Sequence, residues 1–121
     1  MLCANTKKIG QLGENLAVEF LKKRGYAILE RNFSCALGEI DLIARQNGTI
    51  VFVEVKSRSS TLFGLPQEAV NFEKRRKISQ VALLYINKNN LSGVGMRFDV
   101  ISITFDRLSK VATISLIKNA F

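Results

Sequence analysis

The chain has 121 residues, 47% of them apolar, with a formal net charge of +8, one proline, two cysteines and no histidine. Such a length and apolar fraction suit one domain spanning residues 1–121, and no apolar run is long enough to cross a membrane. Without histidine, serine and cysteine triads, zinc hydrolases with histidine ligands and nucleases with a histidine base are excluded, so hydrolysis would have to run on carboxylates, lysine and a metal ion.

Ile9, Leu12, Leu16 and Phe20 recur at helical spacing and predict a first helix from about Lys8 to Arg24, closed by Gly25. Glu14 lies on the flank of its apolar face, where a carboxylate needs a partner: a salt bridge, water, or a metal ion. Tyr26 to Phe33 reads as a first strand. Cys3 and Cys35 show no metal spacing and read as free thiols, and the amino-terminal segment has no secretory pattern, so the cytoplasm is the expected compartment.

Residues 38–58 carry the most chemistry. Two alternating runs, Gly38 to Arg45 and Ile50 to Lys56, flank Asn47-Gly48, the dipeptide that favours a two-residue hairpin loop. Pairing Gln46 with Thr49 sets Asp41 opposite Glu54 and Glu39 opposite Lys56, on one face with Ile43 and Phe52. Ile40, Leu42 and Ala44 are then expected on the other face, against Val55, Val53 and Val51. Facing carboxylates have side-chain roots roughly 5 Å apart and repel by about 3 kcal/mol at an effective dielectric near 20. A divalent cation between them removes that cost, and hard oxygen donors suit Mg²⁺ or Mn²⁺. Glu39 reads either as a further ligand or as the counter-ion of Lys56.

After a polar loop, Pro66 opens a second helix expected from Gln67 to Asn87, with the cluster Lys74, Arg75, Arg76 and Lys77 in its first half. Four consecutive cations sweep round a helix, so at most two can follow one phosphate track. Arg97 to Ile103 and Val111 to Ile117 read as a fourth and a fifth strand. The positive balance favours nucleic acid as partner, and no basic stretch carries the bulky apolar face of a membrane binder.

The order of these segments, and residues within them, resembles the YraN-like family: Gly10-x-x-Gly13-Glu14-x-x-Ala17, Gly38-Glu39-Ile40-Asp41, Val53-Glu54-Val55-Lys56-x-Arg58, and Arg97-Phe98-Asp99-Val100. That family is similar in fold to Holliday junction resolvases and restriction endonucleases of the PD-(D/E)xK superfamily. The resemblance implies an α/β fold with a restriction endonuclease-like αβββαβ core, a mixed sheet flanked by helices. It implies a metal-dependent endonuclease acting on DNA, with branched or structured DNA among the expected substrates, in which Asp41, Glu54 and the Val55 carbonyl hold Mg²⁺ or Mn²⁺. In that scheme Lys56 activates water, Glu14 completes the cation site directly or through water, and Arg58, Lys74, Arg75 and Lys77 contact phosphates. A homodimer would suit paired cuts. The alternative is a nucleic-acid-binding module that keeps the fold without the chemistry.

Overall fold

The computed structural model describes residues 2–58, 72–106 and 111–120, with side chains from residue 10 onward and, in the second helix, from residue 73. Helix α1 spans Leu2–Lys23. It begins before the expected Lys8 because no proline interrupts residues 2–9. It stops at Gly25, whose φ of 87° only glycine adopts without strain. Gly25 N–H bonds to the Lys22 carbonyl at 3.1 Å and Tyr26 N–H to the Leu21 carbonyl at 3.0 Å, the Schellman pattern. Tyr26 therefore belongs to the cap, and strand β1 starts one residue later, spanning Ala27–Cys35.

Strands β2 (Gly38–Gln46) and β3 (Thr49–Arg58) follow as a hairpin. Its loop residues Asn47 and Gly48 both have positive φ, 50° and 80°, as the twist-matched two-residue turn demands. Helix α2 (Phe72–Lys88) then leads to β4 (Met96–Phe105) and β5 (Ala112–Ile117). Pro66 and residues 67–71, the expected start of α2, lie outside the described residues. The sheet order is β1-β2-β3-β4-β5, antiparallel except for β3 and β4, which the crossover through α2 makes parallel. The chain is thus an α/β protein with a five-stranded mixed sheet and a helix on each face, consistent with a restriction endonuclease-like core.

Two apolar layers hold the helices. Ala17, Val18 and Leu21 of α1 bury themselves against Leu42, Ala44, Val51, Val53, Ile101 and Ile103. Gly13 lets this helix approach closely, since a Cβ there would collide with the Ser57 side chain at the end of β3. On the opposite face Ile78, Val81, Ala82 and Tyr85 of α2 cover Ile43, Ile50 and Phe52. Phe52 is the largest fully buried side chain. Its ring centroid lies 6.1 Å from Tyr85 and 5.5 Å from Phe98, and truncating it to alanine should cost about 3–5 kcal/mol. This aromatic wall fixes β3 two residues before Glu54.

One polar group is wholly buried in a layer otherwise apolar. Asp99, at 0% exposure, receives both Arg97 Nε and Nη2 at 2.9 Å, and its Oδ1 accepts the Asn119 N–H at 3.1 Å. Arg97 also donates to Tyr26 Oη at 2.9 Å and Gln46 Oε1 at 3.0 Å, joining the α1 cap, the hairpin end and the chain's last described turn.

Candidate functional site

The expected register of the hairpin is observed from Gln46↔Thr49 to Leu42↔Val53. There the ladder ends. In an unbroken antiparallel ladder the Val55 N–H would meet the Ile40 carbonyl. It donates instead to Asp41 Oδ2, at 2.8 Å. A side chain has taken a main-chain partner, and β2 and β3 part at that point.

Alternation along β2 fails with it. Ile40 was expected beside Leu42 and Ala44, but it packs in the α2 layer with Ile43 and Phe52, while Leu42 and Ala44 pack under α1. The irregularity is matched on β1, where Asn32 lies between the pairs Arg31↔Leu42 and Phe33↔Ile40 and has a φ of 54°. Asparagine tolerates this left-handed conformation better than most residues. The parting also overturns the pairing of Glu39 with Lys56: Glu39 is exposed and faces Ser34 on β1.

Asp41 and Glu54 nevertheless meet. Burial, the hydrogen bond it donates to Glu54 and the charge of Glu54 push the Asp41 carboxyl up to about 8, and the Val55 N–H and Lys74 only partly offset this. Burial also acts to raise Glu54, but the hydrogen bond from Asp41 and the ammonium groups of Lys74 and Lys56 outweigh it, so its carboxyl is lowered. The two carboxylates share one cavity and titrate as a pair, the proton being favoured on Asp41 over Glu54.

Two lysines face this pair. Lys56, two residues along β3 from Glu54, is pushed down by burial and by the adjacent Lys74, against the pull of Glu54 and Asp41. Lys74 reaches in from the first turn of α2, with Nζ 2.9 Å from Glu54 Oε2. Burial acts to lower Lys74, but hydrogen bonds to Lys56 and Glu54 prevail and raise it. The sequence reading gave Lys74 to phosphate contact and missed this ion pair. The signal was present, since Lys74 precedes the buried Ile78 by four residues and Val81 by seven, on one helical stripe.

Glu14 stands elsewhere. Its Oε1 accepts Arg31 Nη2 at 3.0 Å, Arg31 Nε at 3.2 Å and Asn32 Nδ2 at 3.0 Å. Among the described residues no three Asp, Glu or Cys side chains gather into one metal-holding group, so the expected convergence of Glu14 with Asp41 and Glu54 is not observed. The cause is local: Asn32, turned by its positive φ, offers its amide to the helix, and Arg31 beside it claims the same oxygen. Glu14 is thereby linked to the strand position that lies opposite Asp41, and not to Asp41 itself.

Arg58 is half-buried at the end of β3, paired in register with Thr104, while Arg75, Arg76 and Lys77 are exposed on α2. The Glu73–Arg76 contact, at 4.0 Å and with both side chains more than half exposed, contributes little.

The donor set suits a small divalent cation. The two carboxylates offer hard oxygens from adjacent strands, with Lys74 on one of them, and a hard cation such as Mg²⁺ binds through one or two carboxylates while keeping several waters. Asp41 and Glu54 are the residues that would hold it. No helix among the described residues is long and apolar enough to cross a membrane.

A five-stranded mixed sheet with a helix on each face sets the class, an α/β protein whose architecture is consistent with a restriction endonuclease-like core. Within it, residues 13–103 match the model described as Uncharacterised protein family UPF0102, and the chain belongs to that family, the YraN-like one. It is 52% identical over 118 residues to a UPF0102 protein of Caldicellulosiruptor bescii, covering 97% of this chain and 99% of that one. It is 48% identical over 117 residues to a UPF0102 protein of Caldicellulosiruptor saccharolyticus (97% and 99%), and 46% identical over 115 residues to one of Moorella thermoacetica (95% and 96%).

Proposed function

We propose that this protein is a divalent-cation-dependent endonuclease that hydrolyses phosphodiester bonds in DNA. The observation that carries the reading is the meeting of half-buried Asp41 with buried Glu54, with Lys56 beside them. Asp41 and Glu54 would hold Mg²⁺ or Mn²⁺, with the Val55 carbonyl as a third oxygen. When bound, such a cation supplies Lewis-acid polarisation of the phosphate and helps form a nucleophile at neutral pH.

The chain's own groups supply the rest. Asp41, tied to the Val55 N–H, keeps its carboxylate oriented along the gap between β2 and β3. Lys56 Nζ, its pKa lowered by burial, is the group beside the pair suited to take a proton from water, and once protonated it offsets negative charge building on the phosphate oxygens. Arg58, Arg75 and Lys77 grip the backbone without reading bases. Glu14 acts at one remove, steadying Asn32 across from Asp41. The cytoplasm is the compartment this reading implies, and a homodimer would give paired cuts.

The decisive experiment incubates the purified protein with linear, nicked, forked and four-way DNA in Mg²⁺ or Mn²⁺. Cleavage should appear with at least one substrate and vanish in Glu54→Gln and Lys56→Met, with folding intact by circular dichroism. No cleavage of any substrate with either metal overturns the proposal.

One observation favours a second reading, a nucleic-acid-binding module without chemistry: no third acidic group joins the pair among the described residues. That reading predicts salt-sensitive DNA binding, unchanged by chelator or by Glu54→Gln, and no turnover.

A further inference from the structure

We propose that Lys74 is the internal counter-cation of the carboxylate pair, holding on Glu54 the place that a divalent cation takes and leaving it when the cation enters. This rests on the reading of Asp41 and Glu54 as a metal site.

The geometry carries the proposal. Glu54 is fixed, with its side chain 9% exposed on a central strand, whereas Lys74 is 38% exposed and reaches the carboxylate from a separate helix. At 2.9 Å the ammonium occupies Glu54 Oε2, one of the oxygens a cation would need. The two cannot share that oxygen without close repulsion between like charges in a half-buried site. Lysine is the partner able to yield, because its four-carbon stem swings the charged end to water while its methylenes stay on the apolar surface.

Displacement has a direction. Lys74 is followed by Arg75, Arg76 and Lys77, all exposed. Released from Glu54, its ammonium joins the charge on the early turns of α2. Cation occupancy then adds one positive charge to the face offered to phosphates, so cation and nucleic acid favour each other's binding. By linkage the effect is reciprocal.

The test is a calorimetric titration with Mn²⁺ of the wild-type protein, Lys74→Met, Lys74→Gln, Lys74→Arg and Glu54→Gln, each checked for folding by urea denaturation. Lys74→Met and Lys74→Gln should bind Mn²⁺ about tenfold more tightly than wild type. Lys74→Arg, which keeps a cation against Glu54, should stay near the wild-type affinity, and Glu54→Gln should abolish binding. Wild-type affinity or weaker in both neutral Lys74 variants, with binding still lost in Glu54→Gln, overturns the role of Lys74 and leaves the metal site standing. Absence of Mn²⁺ binding throughout, or binding indifferent to Glu54→Gln, overturns the metal site and this inference with it.

Discussion

The Asp41 carboxylate accepts the Val55 N–H at 2.8 Å, one residue beyond Glu54, the group with which it shares a proton. A single side chain therefore ends a β-ladder and builds half of an acidic site. The bond explains why a half-buried aspartate tolerates this position: it has one main-chain donor on one oxygen and Glu54 beside it.

Metal-free stability should depend on pH through this group. The Asp41 carboxyl stands at about 8 in the folded chain, above its ordinary 3.8. A raised pKa contributes stability that is complete below the unfolded value and lost as pH rises through the folded one. Urea midpoints measured in chelator should fall progressively from about pH 4 to pH 8, and Asp41→Asn, which can still accept the Val55 N–H, should flatten that slope. Equal slopes for the two proteins would contradict the shared-proton arrangement.

The Arg97–Asp99 pair makes a sharper stability prediction. Arg97→Met leaves Asp99, at 0% exposure, without its bidentate partner. Breaking a buried pair from one side costs about 3–5 kcal/mol, whereas replacing both members with apolar residues is often close to neutral. Chemical denaturation should show a large loss for Arg97→Met and a substantial recovery in Arg97→Met/Asp99→Leu.

Close packing of α1 on β3 can be tested at Gly13. Alanine gains about 1 kcal/mol of helix propensity there but collides with Ser57, and overpacking of this kind costs about 1–3 kcal/mol. Gly13→Ala should be destabilising overall in the wild-type background and less so, or stabilising, with Ser57→Gly. A double-mutant cycle from denaturation midpoints gives the coupling.

Nucleic-acid binding should report the exposed cations of α2. Each phosphate contact contributes about 0.9 to the slope of log K against log salt on duplex DNA. Changing Arg75, Arg76 and Lys77 together to alanine should lower that slope by about 1–2, since at most two of them can follow one phosphate track, weakening binding evenly across sequences. A slope left unchanged would place the DNA on another face.

Much of this architecture was legible from local rules. Asn47-Gly48 gave the turn and its register, Gly25 closed α1, and the spacing of Ala17 and Leu21 marked the face that packs. What alternation could not reveal was its own interruption, because the bond from Val55 to Asp41 and the left-handed turn at Asn32 depend on neighbours across the sheet. Lys74 shows a related limit: it was placed among the phosphate contacts, and the ion pair with Glu54 that its position on the buried stripe permits depends on how α2 packs on the sheet. Glu14 was rightly marked as needing a partner, and the partner proved to be Arg31 with Asn32.

The acids and their lysine come from segments of different reach along the chain. Asp41 and Glu54 belong to one hairpin, which closes on the microsecond timescale, whereas Lys74 arrives only after the crossover brings α2 down on the sheet. Until the helix docks, the nascent hairpin has only its own Lys56 to offset the two carboxylates. Assembly is thereby tied to reach along the chain: the segment that carries the chemistry gains its second cation only when long-range packing sets α2 against the sheet.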